Sequence, residues 1–151
     1  MAVHISALLL LGLLCGSELN VAVIDHPTLN RQPLEVHIPM RSSFAALLGR
    51  VMPFWMGGSM LLNLLLLLLP FEHLSGLAWR FAAAACAIQA IAVVFSLVAL
   101  VPINNRIAKW TVTSLPANWK SMEQRWDAYH SVRTGALIIA FVFLALSLRV
   151  Y

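Results

Sequence analysis

Four stretches of the chain are apolar for long enough to cross a membrane, and polar residues gather at the breaks between them. The first runs from about Val3 to Ile24. The second covers about Pro53 to Pro70 and extends backward as an amphipathic helix from Ser43. The third covers about Leu77 to Val101, and the fourth about Glu123 to Val150, with a polar first third. At about 1.5 Å of rise per residue, each can traverse a hydrocarbon core roughly 30 Å thick. Backbone groups in lipid must be satisfied within the segment, so helices are the expected elements. The breaks are a loop from Asp25 to Ser42 carrying Pro27, Pro33 and Pro39, a tight link from Phe71 to Gly76, and a loop from Pro102 to Met122. The pattern predicts an all-α membrane protein, a four-transmembrane-helix bundle forming one domain over residues 1–151.

Composition strengthens this reading. Of 151 residues, 61% are apolar and 11% charged, against about 25% charged in ordinary soluble domains. Too little polar surface is available to cover a core in water, so lipid is the expected solvent. The net charge of +4 is carried by only ten Lys and Arg. They form no basic stripe, which excludes a nucleic-acid partner. They report topology instead. Arg31, Arg41, Arg50, Arg106, Lys109, Lys120, Arg125 and Arg133 fall on the side of the first and third breaks, and only Arg80 and Arg149 on the other. The positive-inside rule then puts loops 25–42 and 102–122 in the cytoplasm and both termini outside, as in a bacterial inner membrane. Trp55 and Trp126 are expected at the inner interface, Trp79 and Tyr151 at the outer one. Residues 3–16 could pass for a signal-peptide core, but no Lys or Arg precedes them and no clean small-x-small site follows, so they read as a retained helix. Cys15 and Cys86 lie within apolar runs and read as packing residues, not a disulfide framework.

Glu18, Asn20, Asn63, Gln89, His130 and Arg133 lie inside the apolar spans. Ionisable groups at such depth are costly, usually paired, and often functional. Glu18 falls roughly 9 Å from the inner end of its span and His130 roughly 10 Å, with Arg133 about one turn deeper. On the fourth span Trp126, His130 and Arg133 recur at i, i+4, i+7, with Glu123 continuing the stripe. One helix face therefore carries an indole, an imidazole and a guanidinium, and that face must look inward. Two readings stay open. Glu18 and Arg133 form a structural ion pair with His130 as a hydrogen-bonding partner, or the trio is a site in which His130 titrates near neutral pH. A metal site using His26, Glu35 and His37, with His130 or Glu18, is a weaker candidate because no recognised ligand spacing is present. His4 and His73 read as incidental.

The string Pro102-Ile103-Asn104-Asn105-Arg106-Ile107-Ala108 with Trp110 resembles a signature block of the anthrone oxygenase-like family of small four-helix membrane proteins. Leu115-Pro116 with Trp119, then Arg125-Trp126 with His130 and Arg133, extend the similarity, and Gly16 and Asn20 fit the family's first helix. The resemblance implies oxidation of a polyketide anthrone to an anthraquinone by molecular oxygen, without an obvious cofactor. Under it, His130 serves as base, oriented by Glu18. Arg133 and the amides of Asn104 or Asn105 stabilise the enolate, and Trp110 and Trp126 stack on the rings, with Asn20 among the substrate-binding residues. Turn preferences alone read Asn104 and Asn105 as a cap after the third helix. The rivals are a structural or binding subunit, supported by the Ala-rich stretch Phe81 to Ala92, and a metal-, haem- or quinone-binding redox protein. Expected partners are the bilayer, a hydrophobic small molecule, and further copies or other membrane subunits.

Overall fold

The computed structural model describes residues 1–68, 74 and 76–150. Within these residues the protein is all-helical. Four long helices carry the chain, α1 (Ala2–Leu29), α2 (Leu34–Leu68), α3 (Gly76–Ile107) and α4 (Trp119–Arg149), each long and apolar enough to cross a membrane. The chain is thus an integral membrane protein. Most of the expected Phe71–Gly76 link, together with Leu69, Pro70, His73 and Tyr151, lies outside the described residues.

The helices reach well beyond the apolar runs. The expected loop Asp25–Ser42 contracts to a turn around Asn30–Pro33, and the expected loop Pro102–Met122 begins only after Ile107 and ends at Asn118. Prolines did not enforce loops. Pro27 and Pro102 sit in the first turn of their α-helical segments, where the missing N–H has no intrahelical partner to lose. Pro39 and Pro53 lie inside α2. As a consequence Glu18 and His130 each lie about three turns, roughly 16 Å, from their helix ends, deeper than the apolar boundaries implied. Two helices also widen locally into π turns, Val21–Asp25 just after Glu18 and Ser96–Leu100 in α3. Such turns recur at functional sites because they re-aim side chains without breaking the helix.

Packing follows the membrane pattern. Large apolar residues point outward, with Phe54 83% and Val98 74% exposed, and small residues line the contacts. Ala82, Ala85 and Ala92 of α3 share one buried cluster with Leu137, Ala140 and Leu144 of α4. The Ala-rich stretch thus serves contact inside the chain. Gly12 permits a close approach of α1 to α4, since a Cβ there would lie 3.0 Å from Phe141 Cε2. At the N-terminal end His4 is fully buried, with Nε2 2.8 Å from Ser147 Oγ. Asn63 and Gln89 are buried as well.

Candidate functional site

The polar stripe on α4 is buried along its whole length. Glu123, Trp126, His130 and Arg133 all face the interior. Trp126 is therefore not an interfacial anchor. Its ring stacks on His130, with centroids 4.8 Å apart and planes 13° apart. Trp79, by contrast, is exposed.

Glu18 of α1 meets this stripe. Arg133 Nη2 donates to Glu18 Oε2 at 2.5 Å and to His130 Nδ1 at 3.1 Å, while Nη1 donates to Ser96 Oγ at 3.3 Å. Ser96 in turn donates to the Ala92 carbonyl. His130 Nε2 is 3.1 Å from the Glu18 backbone oxygen, which lies just before the π turn of α1. The tautomer follows from these partners. A guanidinium can only donate, so Nδ1 accepts and Nε2–H donates to the carbonyl. Both ring nitrogens are thereby engaged. His130 Nδ1 also lies 3.1 Å from Glu18 Oε2, whereas Glu18 Oε1 has no hydrogen-bond partner.

The trio forms one end of a cavity of about 310 Å³, at the small end of the usual range for small-molecule pockets of roughly 300–1,000 Å³. Its polar lining is Glu18, Ser96, Asn104, Asn105, His130 and Arg133, and Trp126 supplies an aromatic wall. The remainder is apolar, chiefly Leu48, Met52, Met56 and Val93. Asn104 is no cap or turn residue: both asparagines lie within the helical segment Val101–Ile107. Asn104 Nδ2 crosses to the Ala45 carbonyl of α2 at 2.8 Å. Gly49 permits that reach, because a Cβ on it would sit 3.0 Å from the same nitrogen. Gly49→Val is expected to push Asn104 off Ala45, costing about 1–3 kcal/mol for the stranded buried groups. Thermal unfolding in detergent measures it.

Behind Trp126 lies a second polar cluster that sequence reasoning largely missed. Arg41, fully buried, bonds Asp127 through Nη2, sets Nε 3.6 Å from Glu123 Oε1, and places its guanidinium 5.1 Å from the Trp126 ring. His37 joins the Leu29 carbonyl at 2.8 Å to Glu123 Oε1 at 2.5 Å, and Lys120 Nζ bonds the other Glu123 oxygen. His26 Nδ1 lies 3.0 Å from Asp127 Oδ1, and its ring is 5.8 Å from that of His130. The cluster ties the turn after α1 to the start of α4. Spacing alone held a clue, since His37 with Arg41 and Glu123 with Asp127 are i, i+4 pairs on single helix faces.

Other expected residues lie elsewhere. Asn20 is exposed and donates to Asp25 Oδ2 at 2.9 Å, away from the cavity lining. Trp110 is buried but packs edge-on against Trp119, with centroids 6.4 Å apart, and does not line the cavity. The metal candidates do not converge, because His26 and His37 turn toward different carboxylates and Glu35 is exposed. Among the described residues no group of three or more His, Cys, Asp or Glu side chains is arranged to hold a metal ion.

No curated protein and no solved structure matches the chain. A family model does: that of anthrone oxygenase, over residues 41–143. The matched stretch holds Arg41, Asn104, Trp126, His130 and Arg133, and Glu18 precedes it. Covering more than half of a chain with four membrane-spanning helices, the match assigns the protein to a family: the chain belongs to the anthrone oxygenase family.

Proposed function

We propose that the protein is an oxygenase that converts a hydrophobic anthrone-like aromatic or polyketide to a quinone with molecular oxygen and without a bound cofactor. The observation that carries this reading is the cavity itself, with apolar walls and a carboxylate, an imidazole and a guanidinium at one end. An anthrone bears an acidic methylene beside a ring carbonyl. A base takes one methylene proton, and the resulting enolate passes one electron to O₂. Recombination forms a carbon–oxygen bond and a peroxide anion, which takes a proton back. Loss of the second methylene proton then breaks the O–O bond, leaving the quinone carbonyl and one water. One oxygen atom ends in the product and the other in water.

The geometry favours a division of roles different from the one suggested by sequence. Both nitrogens of His130 are already engaged, so Glu18, whose Oε1 has no partner, is the better proton acceptor. His130 then acts as a positioning residue, holding the Glu18 backbone through Nε2–H and Arg133 through Nδ1. Arg133 supplies positive charge where the enolate oxygen develops negative charge, from its place beside Glu18 and Ser96. Trp126, stacked on His130 and covered by the Arg41 guanidinium, holds the imidazole in place and closes the wall beside it. The lysine and arginine bias supports a bacterial inner-membrane setting, with the Arg41–Glu123–Asp127 end of the bundle facing the cytoplasm.

The test is oxygen consumption by purified protein with the simple anthrone dithranol. The expected result is uptake well above the uncatalysed rate, reduced in His130→Ala with the fold retained. Uptake no faster than the uncatalysed rate in the wild type contradicts the reading.

A further inference from the structure

We propose that the cavity is loaded sideways, from the lipid, through a slot between α2 and α3, and that its occupant is a flat, fused-ring aromatic dissolved in the bilayer. Two matched stripes of residues frame the slot. On α2, Gly49, Pro53 and Gly57 recur every four residues, and on α3, Leu97, Val101 and Asn105 do the same. Four-residue spacing puts each set on one helix face. All six residues line the cavity, and all six are exposed, as expected where the cavity opens to the surface. The two helices run antiparallel, so Gly57 and Leu97 mark the deep end of the slot and Gly49 and Asn105 the end nearer the interface. Gly49 indeed lies against Asn104, the neighbour of Asn105. Outward exposure in the middle of a membrane-spanning helix is exposure to acyl chains, not to water.

Side-chain choice keeps the slot open. A Cβ built on Gly57 meets nothing within 4 Å, so this position borders empty space where a larger residue would fit without a clash. The π turn Ser96–Leu100 lies at the same level and carries Leu97 on the rim and Ser96 inward, where its hydroxyl accepts from Arg133.

Polarity changes along the path. The rim is apolar except for Asn105, the middle is walled by Met52, Met56 and Val93, and the floor holds Glu18, His130 and Arg133. Glu18 and His130 are almost completely buried and Glu18 Oε1 lacks a partner. A molecule that slides in from lipid past Gly57 and Leu97 therefore meets apolar walls first and charged groups only at its leading edge, with the Asn104 and Asn105 amides at the other end of the slot. That order selects an occupant with a wide apolar body and one polar edge, such as a fused-ring ketone or phenol. It disfavours water-soluble substrates, which would need a hydrated mouth. The nature of the chemistry rests on the oxygenase reading, but the slot does not.

The experiment uses the full chain in lipid nanodiscs with anthracene, an unreactive, fluorescent three-ring probe. Binding is followed by energy transfer from tryptophan. Wild type is expected to bind anthracene saturably. Gly57→Phe, which fills the slot from a position with open space, is expected to weaken or slow binding at least tenfold with thermal unfolding unchanged. Val98→Phe, on the lipid face of α3 but off the cavity lining, should bind as wild type does. Equal binding by Gly57→Phe and wild type overturns the slot, and so does an absence of saturable binding in the wild type. Binding that Gly57→Phe blocks, in a protein that does not oxidise dithranol, supports the slot and removes the oxygenase reading.

Discussion

Glu18→Gln is expected to lower the rate of dithranol oxidation by about 10²–10⁴-fold, the usual contribution of a positioned general base. Glutamine preserves the size of the side chain and can still accept from Arg133 through its carbonyl, so the packing of α1 on α4 survives. It cannot take a proton. His130→Gln should cost less, because the imidazole nitrogens are held by the Glu18 carbonyl and Arg133 and the ring acts through Glu18. The comparison separates catalysis from structure. If Glu18 were only half of an ion pair, activity would fall in step with the folded fraction and no further. Turnover of the folded fraction, measured alongside circular dichroism, decides between them. Equal losses in the two variants, with both folded, would return the base role to His130.

The largest stability effect is expected at Arg41. It is among the largest fully buried side chains, and it is bonded to Asp127 and close to Glu123. Arg41→Leu keeps a comparable apolar stem but takes the buried guanidinium from two carboxylates, leaving Glu123, 1% exposed, to His37 and Lys120 and Asp127 to His26. Breaking a buried ion pair from one side costs about 3–5 kcal/mol. The variant should therefore unfold at markedly lower temperature in detergent, with the start of α4 and the turn after α1 loosening first. Arg41→Leu combined with Glu123→Gln and Asp127→Asn should recover part of the loss, because the under-compensated buried charge goes with it. No recovery in the triple variant would show that packing, not charge, sets the cost.

The two clusters differ in how readable they were. Helix existence followed from apolar run length, and the inward face of α4 followed from the spacing of Glu123, Trp126, His130 and Arg133. A guanidinium and a carboxylate at one depth of a bilayer have few partners to choose from, which is why the pairing of Glu18 with Arg133 is legible in the sequence. The polar ends were harder. Asp25–Ser42 carries the composition of a loop, yet His26, His37 and Arg41 sit on helices because Asp127 and Glu123, some 90 residues onward, satisfy them. Local propensity does not contain that long-range compensation. Arg41 counted as a topology signal in the sequence, and only packing revealed it as a buried ligand of two carboxylates. The same holds for Trp110, whose aromatic character fitted a stacking role but whose position after Ile107 turns it onto Trp119. Nor did the sequence disclose the slot, since glycine and proline at four-residue spacing become an opening only when the facing helix is known.

The most direct measurement of the central claim is the fate of ¹⁸O₂ during dithranol oxidation by purified, chelator-treated protein in nanodiscs, with Glu18→Gln as the matched control for spontaneous oxidation. The account predicts enzyme-dependent quinone carrying one ¹⁸O atom at the former methylene carbon, with the enzyme-dependent fraction lost in the variant. Product formed at the same rate with and without protein, or label absent from the enzyme-dependent product, would contradict it.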